Sequence, residues 1–314
     1  WQLADDPREQ RILVCEFHTK ANALNGDAMR ILEESIDRLQ TEDYQGLVVY
    51  NEAMNFSAGA DLNTMIDYAD QSDWKGIDKY LSHFQDVCKK MKYSLKPVIS
   101  SVSGLAIGGG FEVACQTSRM VSHMNSTLGL VESGVGLVPS GGGIKELLWR
   151  WIQDSEFTNN HDEAALRVFD IIGYGLTAHS PLQAKKYKFF LDNDVIVLNR
   201  DNLLDESFNQ VAILKNNYVP PPVPHYCLSG QELKEKMREH LLNLEKKGII
   251  FGYDVEIGLN LATVLSGADT DKSKTLSEDD LYNLERQTLI NLIQSQKTRD
   301  RIHAMLLNGR RLKN

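Results

Sequence analysis

Ile12–Phe17 is a short apolar run, ILVCEF, and reads as a strand, as do the β-branched stretches Leu47–Tyr50 and Val98–Val102. Between them the period lengthens. Met29, Leu32, Ile36 and Leu39 recur at helical spacing within Asp27–Gln40. Ile77, Tyr80, Leu81, Phe84, Val87, Cys88 and Met91 mark one face of a long helix, which Pro97 would close. Gly104–Gly110 is a glycine-rich turn from which Phe111–Thr117 can run as a helix. Val121–His123 and Thr127–Gly129 read as short strands or turns, and Glu132–Pro139 as a loop. Ser140–Gly143 then leads into a helix over Ile144–Trp151. Units of two strands and a helix thus recur, an α/β pattern without a close internal sequence repeat.

The second half changes character. Gln153–Glu163 is polar and reads as a surface excursion, Ser180-Pro181 starts a short helix with Pro at its first position, and Val195–Leu198 is a strand. Asn217–Pro224 holds four of the eight prolines and suits a stiff linker. Beyond it, Glu232–Lys247, Val255–Leu265 and Leu281–Leu307 are helical in pattern, with Ser277–Asp280 as an N-cap. The expected division is a core over residues 1–205, a Pro-rich linker over 206–230 and a helical region over 231–314.

Composition narrows the functional classes. The 314 residues are 25% charged and 42% hydrophobic, which fits a globular chain and not a disordered one. A net charge of −9 argues against a general nucleic-acid binder. No apolar run approaches the ~20 residues of a membrane span. Cys15, Cys88, Cys115 and Cys227 are scattered, and the eight histidines form no cluster with them, so neither a disulfide framework nor a metal site is expected. Reduced thiols fit the cytoplasm. The chain opens Trp1-Gln2-Leu3 without Met, and reads as a fragment of something longer.

Three segments carry candidate chemistry. Gly108-Gly109-Gly110-Phe111-Glu112 follows the Val98–Val102 strand, so that free backbone N–H groups at the helix start would attract negative charge. Alone, such a stretch is more often a flexible turn with a solvent-facing Glu. It lacks the Lys-Ser/Thr of a phosphate-binding loop, which disfavours ATP or GTP. The loop Ser57–Asp61 has small side chains that leave the Ala60 N–H free to face a ligand, although an Ala-Gly-Ala turn is by itself more often just a turn. The third segment, Leu128–Pro139, sets Glu132 among apolar and glycine residues; a lone loop Glu is usually solvated, whereas one packed against apolar neighbours has a raised pKa that suits proton transfer near neutral pH. Together they supply two amide donors for one oxyanion and two carboxylates for one proton-transfer problem.

In order and spacing the three segments resemble the enoyl-CoA hydratase/isomerase family, the crotonases: Ala58-Gly59-Ala60-Asp61, then Lys96-Pro97-Val98 leading to Gly108-Gly109-Gly110-Phe111-Glu112, then Gly129-Leu130-Val131-Glu132 with Gly136 and Pro139. Asn22-Ala23-Leu24 matches the family's early motif. The resemblance is strong over residues 10–150 and diffuse through Leu182–Leu198, where the usual glycine is Lys188 or Phe189. The remainder is similar to the C-terminal part of bifunctional fatty-acid oxidation proteins that also carry an NAD-dependent 3-hydroxyacyl-CoA dehydrogenase. Gly173-Tyr174-Gly175-Leu176-Thr177-Ala178 is the nearest match to a dinucleotide turn and lacks its context.

The resemblance implies a crotonase-like spiral of ββα units with a C-terminal helical region. It implies reversible hydration of trans-2-enoyl-CoA, with Ala60 and Gly109 as the oxyanion hole, Glu112 as base and Glu132 as acid. Lys20, Ala58, Asp61, Leu62 and Gly108 would bind the CoA thioester. Lys89, Lys90, Lys92 and Lys96 would lend positive charge, or would simply form a solvated helix face. No cofactor is expected in the chain itself, and NAD only in a missing dehydrogenase. The resemblance leaves room for a homo-oligomer and for docking to that dehydrogenase. Double-bond isomerisation, or acyl-CoA binding without turnover, are the alternatives.

Overall fold

The computed structural model describes residues 2–5, as backbone, and 11–314. Trp1, part of the expected fragment start, lies outside them. The chain begins with β1 (Gln2–Asp5), β2 (Arg11–Cys15), α1 (Gly26–Thr41), β3 (Gly46–Tyr50), α2 (Leu62–Asp70) and α3 (Trp74–Lys92). It continues through β4 (Val98–Val102), β5 (Leu105–Ile107), α4 (Gly109–Ala114), β6 (Arg119–His123) and β7 (Thr127–Gly129). Then come α5 (Gly143–Ile152), α6 (His161–Gly173), β8 (Thr177–Ala178), α7 (Pro181–Ala184), β9 (Val195–Val197) and α8 (Leu203–Leu214). The last elements are β10 (His225–Tyr226), α9 (Gln231–Lys246), α10 (Gly252–Ser266), β11 (Leu276–Ser277), α11 (Glu278–Ile293) and α12 (Gln296–Asn308).

Two compact units result, and each is interleaved in sequence: one takes residues up to Asp61, His83–Gly129 and Thr177–Pro222, the other Leu62–Ser82, Leu130–Leu176 and Val223–Asn314. Compactness therefore divides the chain differently from a split at 205 and 230. Within the expected linker, residues 206–214 continue α8, because Phe208 and Val211 are buried against the sheet.

The first unit is built on a six-stranded sheet ordered β1-β2-β3-β4-β6-β9, antiparallel between β1 and β2 and parallel elsewhere. Parallel strands are covered on both faces, so they read as apolar runs, and β4 is buried throughout. One face buries Ile12, Val48, Ile99 and Val121 with Phe208 and Val211 of α8. A second sheet, β5-β7-β8, carries the glycine-rich turn. The expected turn over Gly104–Gly110 thus contains a strand, and α4 starts at Gly109 and not at Phe111.

The second unit is mostly helical. Its α6 was not expected beyond the polar stretch. Asn160 caps it, its Oδ1 accepting from the Glu163 N–H at 3.3 Å, and Ala164, Ala165, Val168, Phe169 and Ile172 are buried. The expected helix over Leu281–Leu307 is two, because Ser295 takes an extended backbone, φ −72° and ψ 133°, and starts α12. The Thr298 hydroxyl then donates to the Gly136 carbonyl at 2.8 Å. The cap at Ser277 is reciprocal: the Asp280 amide donates to its hydroxyl at 3.2 Å, and its own amide donates to the Asp280 carboxylate at 2.8 Å.

Candidate active site

Asn22-Ala23-Leu24 pins the loop Ser57–Asp61. The Ser57 hydroxyl donates to the Asn22 carbonyl at 2.7 Å and accepts from the Gly59 N–H at 3.1 Å. The Ala58 amide donates to the Ala21 carbonyl, the Leu24 amide to the Gly59 carbonyl, and the Asp61 amide to the Leu24 carbonyl. Gly59 sits at φ +110°, a conformation that L side chains rarely adopt. Every amide from Ser57 to Asp61 therefore has an acceptor except that of Ala60, which bonds to no carbonyl among the described residues.

The glycine turn meets this loop from the other side. The Gly108 amide donates to the Gly129 carbonyl at 2.9 Å, but the Gly109 amide, first in α4, bonds to no carbonyl among the described residues. Gly109 lies so close to the loop that a Cβ there would stand 2.9 Å from the Ala60 nitrogen. A Cβ on Gly59 would in turn stand 3.5 Å from the Gly109 nitrogen. Two unpaired amides, some fifty residues apart in sequence, are thus neighbours. Together they form a donor pair suited to an oxygen that gains negative charge.

Glu112 lies one turn into α4 and is buried. Glu132 belongs to the second unit, half-buried at the head of a 3₁₀ turn, Glu132–Val135. Its carbonyl accepts from the Leu137 amide at 3.0 Å, and the neighbouring Ser133 hydroxyl donates to the Ile172 carbonyl at 3.1 Å. The first unit thus holds Ala60, Gly108, Gly109, Glu112, Ala58, Asp61 and Lys20, and the second holds Glu132 and Leu62. The amides of Ala58 and Asp61 are already engaged, so a ligand would meet their other atoms. Lys20 is exposed and opens the 3₁₀ turn Lys20–Asn22.

Two of the four lysines weighed as local positive charge have partners within the first 96 residues. Lys90 pairs with Glu33 at 2.6 Å, and Lys96 donates to the carbonyls of Leu39 and Glu42, where α1 ends. The sequence reading missed Asn22 and Ser57 as organisers of the Ala60 loop. The motif spacing contains them, but their partners lie some 35 residues away. At the diffuse end of the resemblance, Lys188 has φ +58° and so occupies the left-handed position that a glycine usually takes. Gly173 ends α6, Tyr174 caps it and Gly175 comes next, so this stretch is not the strand-to-helix turn of a dinucleotide site.

Residues 8–156 match the model of the enoyl-CoA hydratase/isomerase family. This segment belongs to that family. A probable 3-hydroxyacyl-CoA dehydrogenase of Bacillus subtilis is 29% identical over 99% of this chain and 38% of its own length. The chain therefore spans well under half of that relative. The 2,3-dehydroadipyl-CoA hydratase of Escherichia coli is 30% identical over 45% of this chain and 54% of its own length. The crystal structure of an enoyl-CoA hydratase from Rhodobacter sphaeroides shares the fold, with a TM-score of 0.66 at 14% identity over 96% of this chain and 88% of that one. The fold is the crotonase fold. Among the described residues no helix is long and apolar enough to cross a membrane.

Proposed function

We propose that this chain adds water reversibly across the 2,3-double bond of a trans-2-enoyl-CoA. The observation that carries the proposal is the adjacency of the unpaired Ala60 and Gly109 amides. An α,β-unsaturated thioester becomes electrophilic at Cβ as charge moves onto its carbonyl oxygen, and two fixed donors stabilise that charge. Losing one such donor costs roughly 2.7–4 kcal/mol in comparable sites. Glu112 takes a proton from the water whose oxygen bonds to Cβ, and Glu132 delivers a proton to Cα. The cycle closes when Glu112 gives up its proton to water and Glu132 takes one back from water, which restores both starting states. Lys20, Ala58, Asp61, Leu62 and Gly108 serve the CoA portion. The four free cysteines fit a reducing compartment such as the cytoplasm.

The longer protein would add an NAD-dependent 3-hydroxyacyl-CoA dehydrogenase, on which this chain docks. The Bacillus relative's name and its greater length support that reading. The hydration step is tested by loss of the enone ultraviolet band of crotonyl-CoA. Glu112→Gln and Glu132→Gln are each expected to slow turnover by roughly 10²–10⁴-fold with the fold intact. Wild-type rates in both variants exclude the assignment, and conversion of 3-enoyl-CoA without hydration marks an isomerase instead.

A further inference from the structure

The second unit contains a cavity of about 200 Å³, walled by α6, α9 and α10 and closed by residues 311–313. Its walls are aliphatic and aromatic: Phe169, Ile172, Leu241, Leu244, Ile257 and Leu261. Apolar cavities near 150 Å³ are large enough to hold benzene, so this one has room for a short alkyl segment. Its lining also carries charge. Arg301, Arg311 and Lys313 all line the cavity, against the acids Asp170 and Asp254. Asp254 is already committed to Arg301 Nη1 at 2.8 Å, and Asp170 lies 3.4 Å from His240. Arg311 has no ion pair among the described residues; its guanidinium lies over the backbone of Gly134, where a Cβ would stand 2.6 Å from Nε.

Arg301 supplies the second observation. The residue is only 3% exposed. Its Nε donates to Asn314 and its Nη1 to Asp254, yet its Nη2 is buried without any hydrogen-bond partner among the described residues. A buried guanidinium donor left unmatched costs free energy that a bound anion would recover.

We propose that this cavity binds a linear carboxylate, its alkyl chain between α6 and α10 and its carboxylate on Arg301 and Arg311. The site is independent of the hydration reading, since it uses neither the Ala60 and Gly109 amides nor the two glutamates. The ligand is a free fatty acid, and the experiment separates its binding here from binding at the thioester site.

Octanoate and the uncharged octanol are titrated into the chain by calorimetry, with and without saturating butyryl-CoA. Octanoate is expected to bind saturably, about tenfold more tightly than octanol, as a charge-assisted contact requires. Butyryl-CoA should leave that affinity unchanged. A Cβ on Gly173 meets only the Leu261 side chain, at 4.0 Å, so Gly173→Leu fills the cavity without straining the backbone and should abolish binding. Arg311→Ala, at an exposed position, should weaken octanoate about fivefold and spare octanol. Circular dichroism verifies that both variants fold, and Arg311→Ala keeps the test decisive if Gly173→Leu does not. The proposal is overturned by no saturable heat, by equal affinity for octanol, by unchanged binding in Gly173→Leu, or by competition from butyryl-CoA, which would move octanoate to the thioester site.

Discussion

Lys145 is fully buried, and its ammonium is held by Glu278 at 2.6 Å and Glu146 at 3.3 Å, with the Tyr282 ring 4.7 Å away. Burial alone would lower its pKa. The opposing charges and the tyrosines outweigh burial and raise it well above 10.5. A raised folded value means that the pairing stabilises the fold in full below about pH 10.5 and is lost as pH climbs through the folded pKa. Urea midpoints should therefore fall on the alkaline side, and Lys145→Gln should show less of that fall. At neutral pH the same variant should be destabilised by about 3–5 kcal/mol, because buried carboxylates lose their partner. A wild-type midpoint that is flat at high pH would refute the argument. Nothing in the local sequence marks this lysine, whose main partner is 133 residues away. Ala60, Gly109, Glu112 and Glu132, by contrast, stand in short motifs that local sequence displays directly.

At the scale of elements, the helices α1, α3, α9 and α10 were legible within a few residues, because the first three each show an apolar stripe and α10 is apolar and buried on most sides. The exceptions have local causes. The start of α6 is polar, so its buried face was overlooked. The join of α11 and α12 contains no Gly or Pro, so nothing broke the period over Leu281–Leu307. The capping box at Ser277 was legible and carries its own prediction. Ser277→Ala removes the hydroxyl that accepts from the Asp280 amide and should cost about 1 kcal/mol in urea unfolding. An unchanged midpoint would mean that packing alone holds the start of α11. Farther along, Glu285 of α11 accepts from the Gly142 and Lys145 amides at 2.8 and 2.7 Å, capping α5 from a distant element.

Across the whole molecule, the sheet of the first unit should define its most persistent structure. β2, β3 and β4 pair in parallel between covered faces, so their amides should exchange with deuterium more slowly than those of α7, a single turn of helix. Comparable exchange in both would show that the sheet opens locally. Compactness also crosses the chain order, with each unit drawing on three separate stretches. No linear reading could place those boundaries, since composition records what a segment can bury and not which segment it buries against. By itself the sequence determined the α/β class, most strands and helices, and the residues of the paired-amide motif, because period and short-range spacing are properties of neighbouring residues. Only the tertiary structure decided that the Ala60 and Gly109 amides stay unpaired side by side, that Lys145 ionises in the dark of the core, and that Arg301 keeps a donor in reserve beside a cavity. Each of these depends on groups far apart in the chain, and packing alone sets how close such groups come.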